Sequence, residues 1–130
     1  VKPIRYQIHV YQNASWRLQA TFKDPQDTPL DLSGHEGMLV VRQSVAAPEA
    51  VLRVDSTSGN VILTADSENN ITIRLSVTET DELPTSNREI DDWVYEFLIW
   101  ETASPEDTTT RLLEGSFRVS PAVAREDDPA

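Results

Sequence analysis

Apolar side chains in this chain recur at every second position over short stretches, and most of those stretches end at Pro, Gly, Asn or Asp. A two-residue period is the signature of a β-strand, because successive Cβ atoms point to opposite faces of a pleated backbone. Ile4, Tyr6, Ile8 and Val10 point one way and Arg5, Gln7 and His9 the other. After a break at Asn13-Ala14, Trp16, Leu18, Ala20 and Phe22 alternate with Arg17, Gln19, Thr21 and Lys23, and the two runs are expected to be neighbouring strands. Met38 to Arg42 is apolar on both faces, as a central strand would be, and Val51 to Val54 supplies another strand. Asp55 to Asn60 reads as a hairpin turn, followed by Val61 to Leu63 and by Ile71, Ile73 and Leu75 alternating with Thr72 and Arg74. The longest run is Trp93 to Trp100, and the last strand runs from Arg111 to Ser120, where Gly115 predicts a bulge or a close backbone approach.

One helical signal interrupts this pattern: Thr78 is placed to cap a turn that carries Glu79 and Asp81, and Leu83-Pro84 stops it. The expected fold class is therefore all-β: an antiparallel β-sandwich of about seven to eight strands, Ig-like, with one short helical turn near Thr78 to Leu83. A small closed barrel is the competing geometry. Residues 1–122 are expected to form the one sandwich domain, and 123–130 an acidic tail. The expected core is Trp16, Leu18, Phe22, Ile71, Ile73, Trp93, Tyr95, Phe97, Phe117 and Val119, by shared parity.

Charge narrows the function classes. With 11 Lys plus Arg against 22 Asp plus Glu, the net charge is −11, and a nucleic acid would be repelled over most of such a surface. No stretch approaches the roughly 20 apolar residues of a membrane-spanning helix, and the first residues lack the apolar run of a signal peptide. The chain has no cysteine, which removes disulfides, thiolate metal sites and cysteine nucleophiles.

Catalytic and metal chemistry find little support. His9 sits on the polar side of a strand and His35 in a Ser-Gly-His-Glu-Gly loop, so both read as solvated histidines and not as the base of a triad. Paired acids can serve a glycosidase and Asp91, Asp92 and Glu96 lie close in sequence, but acid pairs are common in a chain with 22 carboxylates. Asp24, Asp27 and Asp31, or Asp55 and Asn60, offer oxygens to calcium; neither set matches an EF-hand loop, and a turn role is expected for each. Asn13-Ala14-Ser15 matches a glycosylation sequon without a secretory context. No enzyme activity, metal or cofactor is expected.

The aromatic run carries the functional expectation. If Trp93, Tyr95, Phe97 and Ile99 fill the core, then Val94, Leu98 and Trp100 face outward. If the last two strands pair odd to odd, one such register sets Trp100 opposite Leu112 and Glu101 opposite Arg111, both favourable cross-strand pairs. Val94, Leu98, Trp100 and Leu112 are thus the candidate protein interface, broken by Glu96, Glu114 and Arg118. The alternatives are a cover formed by the domain's own loops, or a saccharide platform built on exposed aromatics.

The order of short motifs adds a resemblance. Ala14-Ser15-Trp16-Arg17-Leu18, Thr28-Pro29-Leu30-Asp31-Leu32-Ser33-Gly34 and Val41-Arg42 are followed by Ser76-Val77-Thr78-Glu79-Thr80 and Trp93-Val94-Tyr95-Glu96-Phe97. The series ends with Arg111-Leu112-Leu113-Glu114-Gly115-Ser116-Phe117-Arg118-Val119-Ser120-Pro121. This order resembles small virion structural proteins of tailed bacteriophages and prophages, including the N-terminal sandwich domain of baseplate upper proteins. The resemblance implies a non-enzymatic particle component, an adaptor in tail, baseplate or neck, with a capsid decoration protein or a saccharide-binding module as alternatives. It also implies other virion structural proteins as partners in a symmetric multi-copy assembly, no nucleic acid or membrane partner, and a place in the virion, assembled in the host cytoplasm. The chain departs from baseplate upper proteins in having no long C-terminal extension, so an adaptor is expected rather than a receptor binder.

Overall fold

The computed structural model describes residues 3–83 and 91–121, with the backbone alone at 91 and 92. The expected acidic tail, 123–130, and the loop at 84–90 lie outside the described residues.

The strands are β1 (Ile4–Arg5), β2 (Ile8–Tyr11), β3 (Trp16–Ala20), β4 (His35–Arg42), β5 (Ala50–Asp55), β6 (Val61–Leu63), β7 (Ile71–Leu75), β8 (Asp91–Glu101) and β9 (Thr110–Ser120). Two short helices, α1 (Val77–Asp81) and α2 (Pro105–Thr108), lie between β7 and β8 and between β8 and β9. The larger sheet has the order β1-β9-β8-β4-β5, with β2 also paired to β9, and the smaller has the order β3-β7-β6. The two sheets face each other across a single apolar core, with β1 and β2 both parallel to β9 and all other strand pairs antiparallel. This is an immunoglobulin-type β-sandwich.

The core follows the strand parity. Ile8, Val10, Leu39, Val41, Ile71, Ile73, Leu75, Trp93, Tyr95, Phe97, Ile99, Phe117 and Val119 are all buried. Trp93 lies opposite Phe117 and stacks on it with ring centroids 6.5 Å apart, and Tyr95 meets the same ring edge-on. Trp16, Leu18 and Phe22, core residues by parity, are only half-buried: Trp16 and Leu18 lie on the edge strand β3 and Phe22 just beyond its end, so they cap the core from one side.

Four expectations are corrected. β2 and β3 are not neighbours, because β2 pairs in parallel with β9 while β3 pairs with β7 in the other sheet. The first run also breaks in two at Tyr6-Gln7: Ile8 and Val10 go inside, but Ile4 and Tyr6 remain exposed. The turn from Asp55 to Asn60 does not close a hairpin; it carries the chain from β5 in one sheet to β6 in the other, with Gly59 at φ +83°. The helix cap is Ser76 and not Thr78, with Ser76 Oγ accepting from the Glu79 N–H and the Glu79 carboxylate accepting from the Ser76 N–H.

Polar staples fix the loops. Asn70, fully buried, accepts from Phe22 N at 2.7 Å and donates to the carbonyls of Phe22 and Leu30 at 2.8 and 2.9 Å. Thr80, also fully buried, donates to Ala14 O and Val77 O, tying α1 to the loop before β3.

Candidate functional site

The outward side of the larger sheet is set by the register of its central strands. β4 and β8 pair so that Leu39 lies opposite Phe97 and Val41 opposite Tyr95, all buried, while Met38 lies opposite Leu98, Val40 opposite Glu96 and Arg42 opposite Val94 on the other face. Val94, Leu98 and Trp100 are half-buried, as alternation along β8 requires. Val40, on the same outward face, is 8% accessible. The Trp100 indole N–H donates to Glu36 Oε2 at 3.1 Å, its cross-strand neighbour, which holds the ring down along the sheet.

Leu112 does not belong to this face. The β8–β9 register runs from Asp91↔Val119 to Phe97↔Leu113 and then shifts to Leu98↔Arg111, leaving Leu112 as the extra residue of a bulge. The extra residue turns Leu112 towards the core, where it is 5% accessible, and puts Arg111 in the outward place beside Leu98. The odd-to-odd parity is present from 91 to 97, but the shift sets Arg111 opposite Leu98 and leaves Leu112 in the bulge, so neither Trp100–Leu112 nor Glu101–Arg111 is a cross-strand pair.

Arg111 interrupts the apolar strip with charge. Its guanidinium lies 2.9 Å from Glu96 and 3.4 Å from Glu114, both partly exposed. Beside this triplet a shallow hollow of about 520 Å³ opens, with Val40 and Val94 among its lining residues and Arg5, Arg42 and the 88%-exposed Val45 around it. Met38, Val40 and Glu36 are the members of this surface that sequence reasoning missed. Their signal was the doubly apolar β4 run, which places apolar residues on the outer face of a central strand as well as on the inner one.

The catalytic and metal candidates are dispersed into structural roles. His9 contacts Ser120 Oγ through Nε2 at 2.8 Å and stacks on Tyr11. His35 opens β4 and is half-buried, instead of lying in a solvated loop. His9 lies opposite Arg118, which pairs with Asp92, whereas His35 pairs with Glu101 at the other end of β8, a separation of roughly 30 Å along a strand. Glu96 is held by Arg111, and the side chains of Asp91 and Asp92 lie outside the described residues. Asp24 accepts from the N–H groups of Gln26 and Thr28, Asp31 from the backbone and hydroxyl of Ser33, and Asp55 from Ser58 N, so each aspartate closes a turn. Hydrogen bonds from the Ser33 hydroxyl and backbone hold the Asp31 carboxyl below its usual range. Asn60 donates instead to Glu79 and the Arg74 carbonyl. Among the described residues no group of three His, Asp or Glu could hold a metal ion. Burial pushes the Tyr95 phenol well above its ordinary range; its O–H donates to Tyr6 O at 2.7 Å.

No protein-family model matches the chain, and no curated protein matches it either. Among solved structures, the chain is similar to the extracellular domains of the voltage-gated sodium channel beta4 subunit, described as parallel homodimers that explain a role in cell–cell adhesion. The identity is 11%, over 92% of this chain and 93% of that one, with a TM-score of 0.43. It is also similar to a structure used for photo-crosslinking of multimeric cell-adhesive interactions of sodium channel beta subunits, at 11% identity, 92% and 93% coverage and a TM-score of 0.44. Neither a partner nor an activity carries over from a likeness at this level.

Proposed function

We propose that this chain is a non-catalytic binding module whose larger sheet holds a neighbouring protein against its outer face, as an adaptor within a multi-copy assembly. The observation that carries the reading is the set of Met38, Val40, Val94, Leu98 and Trp100 side by side on the outward face of two central strands, Val40 buried and the other four half-buried. Apolar and aromatic residues are enriched in protein interfaces, and here they flank the Glu96–Arg111 ion pair. The dispersal of the candidate acids and histidines into turns and ion pairs is consistent with a binding role.

The setting follows from the motif order: a tailed-phage particle, with the chain at the tail, baseplate or neck and other virion structural proteins as its partners. The decoration-protein and saccharide readings are alternatives that one experiment separates. Particles are purified, split into head and tail fractions and inventoried by mass spectrometry, and the isolated chain is applied to a glycan array. The adaptor reading expects the chain in the tail fraction at fixed stoichiometry and no glycan retention. Presence only with heads, absence from particles, or saturable glycan binding by the isolated chain contradicts it.

A further inference from the structure

The smaller sheet presents a second surface of opposite character. The β3–β7 register sets Arg17 directly opposite Arg74, and both are exposed. Like charges in directly opposed cross-strand positions repel. The outward positions of this sheet are Arg17, Gln19, Thr72, Arg74 and Ile62, so its strands offer no carboxylate to offset the pair, in a chain with 22 Asp plus Glu. Among the described residues the ion pairs use Lys23 and Arg111, Arg74 donates Nε to the Gly59 carbonyl at 3.2 Å, and Arg17 has no hydrogen-bond or ionic partner. A hollow of about 740 Å³ borders both guanidinium side chains, together with Trp16 and Glu79. The Glu79 carboxylate there is already engaged by Asn60 Nδ2, at 2.8 Å to each oxygen, and by Ser76 N at 2.9 Å.

We propose that the outer face of the β3–β7–β6 sheet docks a carboxylate-bearing segment of a partner protein, with Arg17 and Arg74 as the paired receptor. Arginines on directly opposed residues can both donate to one oxyanion, Arg74 through the terminal nitrogens that its Gly59 contact leaves over, which converts a repulsive pair into a bridged one. A carboxylate on a protein and a free phosphate share that chemistry. Two features favour the protein: Ile62, 36% accessible on the same face, gives apolar contact beside the charge, and the surface is an open sheet face. The net charge of −11 does not prevent approach of a short acidic segment, because at physiological salt fields beyond about 8 Å are screened and the local pair dominates. This face lies on the opposite side of the sandwich from Val94, Leu98 and Trp100, so the two surfaces can hold different partners at once.

The test follows the arginine Nε–Hε resonances of the full chain during titration with a hexaglutamate peptide, with hexaglutamine as the neutral control and inorganic phosphate as the free oxyanion. The expected result is saturable shifts at Arg17 and Arg74 with hexaglutamate and none with hexaglutamine. Affinity should fall at least about tenfold in Arg17→Gln and in Arg74→Gln, the loss expected for one charge-assisted contact. The Tm of Arg17→Gln should equal or exceed that of the parent, since the repulsion is relieved. Phosphate saturating the same resonances at the same concentrations overturns the protein partner in favour of a free-anion site. No saturable shift with hexaglutamate, shifts that survive both substitutions, or a lower Tm in both variants overturns the proposal.

Discussion

An alanine at Gly115 would place its Cβ 2.5 Å from the Tyr6 carbonyl oxygen, and φ there is +152°. Both the space and the backbone conformation therefore require glycine, because the break between β1 and β2 passes directly over this point of β9. The Tyr95 hydroxyl bonds to the same Tyr6 carbonyl. Gly115→Ala should destabilise the domain by at least about 1–3 kcal/mol, read by chemical denaturation, with the Tyr95 environment changed in near-ultraviolet spectra. A neutral effect would mean that the leading strand does not cross there. Asn70 is the second residue whose role is local and strict. Removing its amide leaves Phe22 N–H and two carbonyls without their partner in a dry place, so Asn70→Ala should cost roughly 1–3 kcal/mol or more. Gly115 marks a bulge or a close backbone approach in the sequence, and the structure has the close approach. The Asn70 staple is not marked there, because Asn69-Asn70 looks like an ordinary turn and its partners, Phe22 and Leu30, are 48 and 40 residues away.

The β8–β9 hairpin shows how far alternation along a strand can be followed. Alternation identified the inward set Trp93, Tyr95, Phe97, Phe117 and Val119 and the outward set Val94, Leu98 and Trp100, since each depends only on the local period. The placement of Leu112 depends on one inserted residue, and a bulge within Arg111-Leu112-Leu113 leaves no local mark. Leu112→Asp should therefore unfold or severely destabilise the domain, by several kcal/mol, because it buries an unpaired charge, whereas Leu98→Asp should be tolerated far better. Equal effects on thermal denaturation would contradict the bulge. In α1 the capping box makes an electrostatic prediction. Burial alone would raise the Glu79 pKa, but the Ser76 backbone N–H, the Asn60 amide and the Ser76 hydroxyl together hold it below its ordinary value of 4.5. Folding thus favours the carboxylate form, so its contribution is complete above about pH 4.5 and is lost as the pH falls through the lower folded value. Glu79→Gln should flatten that part of the acid limb of the stability profile in pH-dependent melting; an unchanged limb would show that the box carries no net charge coupling.

At the scale of the molecule, the sandwich class was legible because its alternating segments and turn residues all point the same way. The topology was not. Which sheet each strand joins depends on crossings such as Asp55 to Asn60, whose composition is that of any tight turn, and the parallel pairing of β2 with β9 joins residues more than 100 positions apart, as in the His9–Ser120 contact. The same limit applies to the candidate site: Val94, Leu98 and Trp100 followed from one strand, whereas Met38 and Val40 needed the β4–β8 register. Trp100→Ala probes the assembled face, with thermal stability and incorporation into particles measured on the same variant. Trp100 is half-buried and outside the core, so the account predicts a stability loss below about 1.5 kcal/mol together with loss of incorporation. A large loss of stability, or full incorporation of a stable variant, would contradict it.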